Sequence, residues 1–207
     1  MLIKTLVVGQ IDTNCYIVTD ENTLKCAVID PGDESNTILD YIESNKLTVE
    51  SIFLTHGHFD HNLAVYAVRD ATGAPIYIHK ADAVAENDRD RFKLTADNSV
   101  QYYGEGDEMH VGNLTFTVME TPGHSPGCIT LQCENALFTG DTLFKNSMGR
   151  TDIGEGNLQQ LMRSLNRLYR LDGDFEVYPG HMDETTLDKE RRFNDFFKYA
   201  AEENDGK

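Results

Sequence analysis

The stretch Ser51-Ile52-Phe53-Leu54-Thr55-His56-Gly57-His58-Phe59-Asp60-His61 joins a short apolar run to a dense polar cluster. Its first four residues read as a buried strand, because bulky apolar side chains follow one another without polar interruption. The strand ends on Thr55-His56, and ligands in α/β sheets gather beyond the carboxyl ends of strands. The chain has seven histidines, and His56, His58 and His61 lie within six positions, beside Asp60. On a loop leaving a strand, an H-x-H-x-D-H array aims four donors into one small volume. Neutral imidazole and carboxylate are the ligand set of zinc, iron or manganese. Four donors exceed what one tetrahedral ion with an open position uses, so two ions sharing them are expected.

Three further segments repeat the layout of strand, turn residues and donor. They are Thr121-Pro122-Gly123-His124-Ser125-Pro126-Gly127, Thr139-Gly140-Asp141-Thr142 and Tyr178-Pro179-Gly180-His181. A strand end on a rigid sheet holds a ligand more accurately than a free loop does. On spacing alone, Asp141 also reads as an N-cap or turn aspartate, and His124 and His181 as turn histidines. His79 and His110 have no partner in the pattern and read as lone histidines.

Outward from this cluster the chain alternates strand-like and helical segments. Strands are predicted over 2–8, 14–19 and 26–29, the third stopped by Asp30-Pro31-Gly32-Asp33. Ser35 reads as the N-cap of a helix over 37–45, and a second helix is predicted over 62–72, closed by Gly73. Further strands are predicted over 75–78, 109–111, 114–119, 128–133, 136–139 and 175–178. Gly112-Asn113 and Glu134-Asn135 read as hairpin turns. Helices are predicted over 158–168, with Leu158, Leu161, Met162, Leu165 and Leu168 on one face, and over 186–201. The polar segment 80–104 reads as a surface loop with a short helix over 81–86. Two strand-rich halves, each with helices, predict an α/β fold of two sheets packed face to face with helices outside.

The chain of 207 residues fits a single domain over 1–207, long enough to bury a sizeable core. Eighteen basic residues against 35 acidic ones give a formal charge of -17. Such a surface repels polyphosphate chains and anionic membranes, which argues against nucleic-acid and membrane partners. Cys15, Cys26, Cys128 and Cys133 form no C-x-x-C pair, and the opening residues lack the basic-then-apolar layout of a signal peptide. A cytoplasmic protein with reduced thiols is the expectation. Oligomeric state is not legible.

With these motifs in view, the sequence resembles the metallo-β-lactamase superfamily, and within it the short bacterial hydroxyacylglutathione hydrolases of glyoxalase II type. The resemblance rests on the order of Asp30-Pro31-Gly32, T-H-G-H-F-D-H, T-P-G-H-S-P-G, T-G-D-T-L-F, Gly149-Arg150-Thr151-Asp152 and the late P-G-H. It implies an αββα sandwich of two mixed sheets. It implies one metal on His56, His58 and His124, a second on Asp60, His61 and His181, and Asp141 bridging them, with zinc the usual metal. Three departures stand out. Asn62-Leu63-Ala64 replaces the small residue and glycine pair common after the last histidine. Asp141 stands where the commonest antibiotic-degrading members place a cysteine, which argues against β-lactam hydrolysis. The chain ends soon after His181, where larger glyoxalase II enzymes continue into a helical domain that grips glutathione.

The activity so implied is thioester hydrolysis, of S-lactoylglutathione or another acylated small thiol. A hydroxide held between two divalent ions is a nucleophile at neutral pH. Asp60 would hold it in line as well as bind metal. Arg150 would anchor a substrate carboxylate, or else is a surface arginine paired with Asp152. The alternative is a persulfide dioxygenase of the same superfamily, since Gly149-Arg150-Thr151-Asp152 also resembles a segment of those enzymes. They bind a single iron through residues matching His56, the ligands on the His58 side and the bridging aspartate. A phosphodiesterase or nuclease fits the charge poorly. Members of the diiron flavoprotein branch carry a glutamate where His58 stands and need a flavin domain.

Overall fold

The computed structural model describes residues 1–83 and 100–205. Among these residues one sheet has six strands: β1 (Leu2–Val8), β2 (Thr13–Asp20), β3 (Lys25–Ile29), β4 (Thr48–Leu54), β5 (Ile76–His79) and β6 (Val100–Tyr103). They lie side by side in chain order. β1 to β3 pair antiparallel and β3 to β6 parallel, with α1 (Ser35–Ser44) and α2 (Val65–Thr72) as crossovers. After β5 comes the short α3 (Lys80–Ala83). The second half supplies β7 (Glu108–Val111), β8 (Leu114–Glu120), β9 (Ile129–Cys133) and β10 (Ala136–Gly140), then the small pair β11 (Leu143–Phe144) and β12 (Ser147–Met148). α4 (Leu158–Tyr169), β13 (Glu176–Pro179), β14 (Thr185–Thr186), α5 (Leu187–Phe193) and α6 (Asp195–Asp205) complete it. The second sheet runs β14-β13-β10-β9-β8-β7, with β10 and β13 parallel and the other neighbours antiparallel.

The two-residue period of a strand sorts its side chains into layers. Cys15 and Ile17 of β2, Val28 of β3, and Ile52 and Leu54 of β4 pack with Ile38 and Ile42 of α1 and Val65 and Val68 of α2. Their neighbours Tyr16, Val18, Ala27, Ile29 and Phe53 point the other way and meet Phe116, Val118, Ile129, Leu131 and Phe138 of the second sheet. Leu137 and Val177 leave that sheet's far face to meet Leu161, Leu165 and Leu168 of α4 and Phe197 of α6. Helices, sheet, sheet and helices therefore stack in that order, which is the αββα sandwich expected from the sequence. All four cysteines are free and buried, and no helix among the described residues is long and apolar enough to cross a membrane.

Several boundaries differ from the sequence reading, each for a local reason. Glu34, not Ser35, occupies the N-cap of α1, in the left-handed region at φ 52°. Its carboxylate accepts from the Gly9 amide and the Thr37 hydroxyl. The second helix starts at Val65; before it, Phe59–His61 makes a 3₁₀ turn. Leu158, placed on the apolar face of α4, stands exposed beside the Asn157 cap. The segment 80–104 contains β6 at its end, while the helix expected over 81–86 lies largely outside the described residues.

The helix read over 186–201 is two helices broken at Asn194, whose backbone is extended. The fully buried Asn194 amide donates to the Ser147 carbonyl at 2.9 Å and to Glu190 Oε2 at 2.8 Å. Its Oδ1 accepts from the Phe196 and Phe197 amides and so caps α6. Removing a cap and stranding buried partners costs about 2–4 kcal/mol in sum. Asn194→Ala is therefore expected to lower unfolding free energy by that amount in denaturant titration. A loss below about 0.5 kcal/mol would show that the break has another cause.

Candidate metal centre

Four strand ends converge at one edge of the sandwich. β4 delivers His56 and His58, and the 3₁₀ turn after them carries Asp60 and His61. The β8–β9 connection carries His124, β10 ends on Gly140-Asp141, and β13 ends at Pro179, two residues before His181. Backbone bonds lock these ends together: Ile129 N–H to Thr55 O at 2.9 Å and Asn14 N–H to Gly180 O at 2.8 Å cross between the sheets, and Gly180 N–H to Gly140 O at 2.8 Å joins two strand ends of the second sheet. The Tyr16 hydroxyl donates to the Pro179 carbonyl at 2.6 Å. All seven residues picked from sequence meet there.

Their donor atoms form three overlapping groups: His56, His58 and His124; His56, His61 and Asp141; and Asp60, His61 and His181, each within 4.8 Å. His58 Nδ1 lies 2.8 Å from His124 Nε2. Asp141 Oδ1 lies 3.4 Å from His61 Nε2, and its Oδ2 lies 3.4 Å from His124 Nε2 and 3.7 Å from His181 Nε2. Asp60 Oδ2 is 3.3 Å from His61 Nε2 and 3.2 Å from His181 Nε2. Donors about 2.1 Å from one tetrahedral ion stand about 3.4 Å apart, so these spacings suit a metal.

The hydrogen bonds behind the rings assign the tautomers. His124 Nδ1 donates to the Arg150 carbonyl at 2.7 Å and His181 Nδ1 to the Ile11 carbonyl at 3.1 Å. His61 Nδ1 bonds Asp30 Oδ2 at 3.0 Å. The Thr55 hydroxyl donates to Asp30 at 2.6 Å, so its oxygen is left to accept from His56 Nδ1 at 3.1 Å. Each ring is thereby turned so that Nε2 faces the centre. His56 Nε2, His58 Nε2, His61 Nε2 and Asp141 Oδ1 are buried without a hydrogen-bond partner. Buried polar atoms without partners are costly, and cations at the centre would satisfy His56 Nε2, His61 Nε2 and Asp141 Oδ1, while His58 turns its Nδ1 to the centre instead. The residues fit a metal centre.

Electrostatics agree. Burial, together with the surrounding imidazoles, pushes His56 well below its ordinary value, and burial with His124 lowers His58 to about 4. Both rings stay neutral and free to ligate at physiological pH. Burial opposes charge on His61, yet Asp141 and Asp30 outweigh it and raise that ring well above its ordinary value, so this position favours a positive charge, whether a proton or a metal ion. Burial would raise the Asp60 carboxyl, but hydrogen bonds from His181 and His61 keep it well below the usual carboxylate range. The carboxylate side of the centre therefore carries a potential that favours positive charge.

Two residues that the ligand pattern left out hold the centre in shape. Asp30, 1% exposed with φ +50°, accepts from the Thr55 amide and hydroxyl and from His61. In the sequence it read as part of a turn and of a motif carrying the resemblance, with no ligand or supporting role assigned. Asn62, the departure after His61, is fully buried and donates to the Gly57 and His58 carbonyls, bracing the loop between them. The Arg150 guanidinium makes a two-point pair with Asp152 at 2.7 and 2.9 Å, and it also lines the cavity over the centre. That cavity measures about 480 Å³ and has Ile11, Phe59, Phe144, Met148 and Met182 among its walls. His79 and His110 stay outside the centre, beside Glu120 and Thr115.

The sequence model of the metallo-beta-lactamase superfamily matches residues 8–181. The chain belongs to that superfamily. It is 38% identical to a protein of Aquifex aeolicus (95% of this chain, 97% of the relative) and 34% to the probable metallo-hydrolase YqgX of Bacillus subtilis (93% and 96%). It is 29% identical to the hydroxyacylglutathione hydrolase GloC of Haemophilus influenzae (95% and 98%). Among solved structures it is similar to the BLEG-1 B3 metallo-beta-lactamase (TM-score 0.86, 32% identity, 95% and 99% covered). ETHE1 from Myxococcus xanthus follows (0.81, 32%, 98% and 90%), with the di-iron-bound form of TTHA1623 (0.80, 33%, 93% and 99%). The centre is thus the His/Asp metal-binding cluster of a metallo-hydrolase superfamily.

Gly180 and Gly149 show how tightly the chain wraps this cluster. A methyl group on Gly180 would lie 2.2 Å from Asp141 Oδ1, and one on Gly149 would lie 1.8 Å from the Asp141 carbonyl. Gly180→Ala is expected to fold but to lose at least half of its bound metal, measured by mass spectrometry after dialysis. Full metal content would mean that the loop yields without moving Asp141.

Proposed function

We propose that this protein is a two-metal hydrolase of thioesters of small thiols, with S-lactoylglutathione as the reference substrate. The observation that carries the reading is the placement of Asp141: one carboxylate oxygen faces His61 and the other faces His124 and His181. A carboxylate so shared serves two ions, one with His56, His58 and His124 and the other with Asp60, His61 and His181. Two divalent ions, zinc in our reading, supply hydroxide at neutral pH and draw electron density from the acyl carbonyl.

The chain's own groups do the rest. Asp60 stays ionised, and a carboxylate only accepts hydrogen bonds. It would accept a hydrogen bond from the attacking hydroxide and so leave a lone pair aimed at the acyl carbon. The leaving thiol has a solution pKa of about 8.5, so the thiolate departs without a dedicated proton donor. The cavity suits a small molecule in size, and its apolar walls exclude bulk water from the reacting atoms. Arg150 at the rim, partly neutralised by Asp152, meets a substrate carboxylate in a protein of charge -17. The relative named hydroxyacylglutathione hydrolase supports this substrate class. Because one scaffold hosts several chemistries, the BLEG-1 likeness supports the fold and not a lactam substrate.

The second reading, a single-iron persulfide dioxygenase, has the Gly149–Asp152 segment in its favour, since the Arg150 carbonyl holds the His124 ring. One experiment separates the two. Metal content of purified protein is measured alongside hydrolysis of S-lactoylglutathione and oxygen uptake with glutathione persulfide. About two zinc ions per chain, hydrolysis, and a fall of at least 100-fold in Asp60→Ala are expected. One iron per chain with oxygen uptake and negligible hydrolysis would replace the thioesterase reading with the dioxygenase.

A further inference from the structure

Asp82 is an acid that neither the ligand pattern nor the proposed chemistry uses, and it is 1% exposed. It sits on α3, in the first sheet's half of the molecule. Its Oδ2 accepts from the Gly57 amide at 2.8 Å and from the Ser125 hydroxyl at 2.6 Å, and its Oδ1 accepts from the Gly127 amide at 2.6 Å. Gly57 stands between His56 and His58, and Ser125 follows His124 directly. One buried carboxylate therefore ties together both segments that carry the three-histidine group. None of these three bonds reaches Asp60, His61 or His181.

The approach is close enough to constrain both loops. A methyl on Gly57 would lie 2.9 Å from the Asp82 carbonyl, and one on Gly127 would lie 2.6 Å from Asp82 Oδ1. Hydrogen bonds to an ionised acceptor are roughly twice as strong as neutral ones, so the carboxylate clamps the two loops at one spacing. Its charge also matters. Three neutral imidazoles bring no negative charge to a divalent ion, whereas the other group has Asp60. Asp82 sets a carboxylate directly behind the loops of both His58 and His124, bonded to Gly57, Ser125 and Gly127.

We propose that Asp82 is the positioning residue of the three-histidine site and sets its affinity for a divalent ion, separately from the Asp60-containing site. The inference rests on the two-ion reading above. Outer partners of metal ligands are worth roughly 10–100-fold in affinity. Asp82→Asn keeps the shape and one acceptor oxygen but loses the charge and the clamp.

The test is titration of metal-free protein with cobalt(II), followed by calorimetry and by the visible absorption of bound cobalt. Wild type is expected to bind two ions, and Asp82→Asn to bind one of them roughly 10–100-fold more weakly. The full loss should persist in a His181→Ala background and vanish in a His58→Ala background, where the three-histidine site is already damaged. Equal weakening of both ions, no weakening, or the same loss in both backgrounds would make Asp82 a scaffold residue and overturn the proposal. Should Asp82→Asn not fold, Ser125→Ala removes one of the three bonds, and the same background comparison decides with a smaller loss expected. If wild type binds a single ion, the two-ion reading fails, while the two backgrounds still decide whether Asp82 acts on the histidine triad.

Discussion

His56, His58 and His61 are buried with ring nitrogens that meet no hydrogen-bond partner, and much of the surrounding structure follows from that constraint. Five imidazoles and two carboxylates packed at one sheet edge repel, desolvate and misdirect one another unless the rings are held from behind. The chain meets this need with fixed oxygen acceptors: the carbonyls of Arg150 and Ile11, the Asp30 carboxylate, and the Thr55 hydroxyl. Every one of those bonds selects a tautomer and an orientation, and each leaves a lone pair aimed inward. A cation is the partner that these lone pairs share.

The αββα sandwich makes this arrangement affordable. Because each sheet buries both faces, its strand ends cannot shift without disturbing a close-packed layer. The Ile129–Thr55 and Asn14–Gly180 backbone bonds then join the two sheets directly at the centre. Glycine at 149 and 180 lets the chain pass close to Asp141, where a side chain would meet its backbone carbonyl at 149 and its carboxylate at 180. The scaffold is shared with the BLEG-1 B3 metallo-beta-lactamase, ETHE1 and di-iron-bound TTHA1623, so the fold alone does not set the chemistry.

Asn194 and Asn62 illustrate a different use of buried polarity. Each is fully buried, and each replaces regular helix with side-chain hydrogen bonds to neighbouring backbone. At Asn194 the result is a break that lets α6 turn onto the second sheet. At Asn62 it is a delayed helix start that leaves the Phe59–His61 turn free to present Asp60 and His61. Helical periodicity continues through both positions in sequence, because apolar spacing records which faces are buried and is silent about a polar side chain that interrupts the backbone ladder.

The sequence by itself determined the layered α/β architecture, since alternating apolar residues and glycine-marked turns are local signals with local causes. It also brought the seven candidate donors forward, although on spacing alone Asp141, His124 and His181 read equally as turn residues and the family resemblance completed the set. Only the tertiary structure decided how they combine: which oxygen of Asp141 faces which histidines, and that Arg150 holds His124 through its carbonyl while its guanidinium pairs with Asp152. The roles of Asp30 and Asp82 became visible only there as well. Asp30 stands in a turn motif and Asp82 in no pattern at all, and the role of each arises from backbone amides and hydroxyls brought to it from segments at least 25 residues away. Long-range convergence of that kind depends on the packing of two sheets, and no local stretch of sequence encodes it.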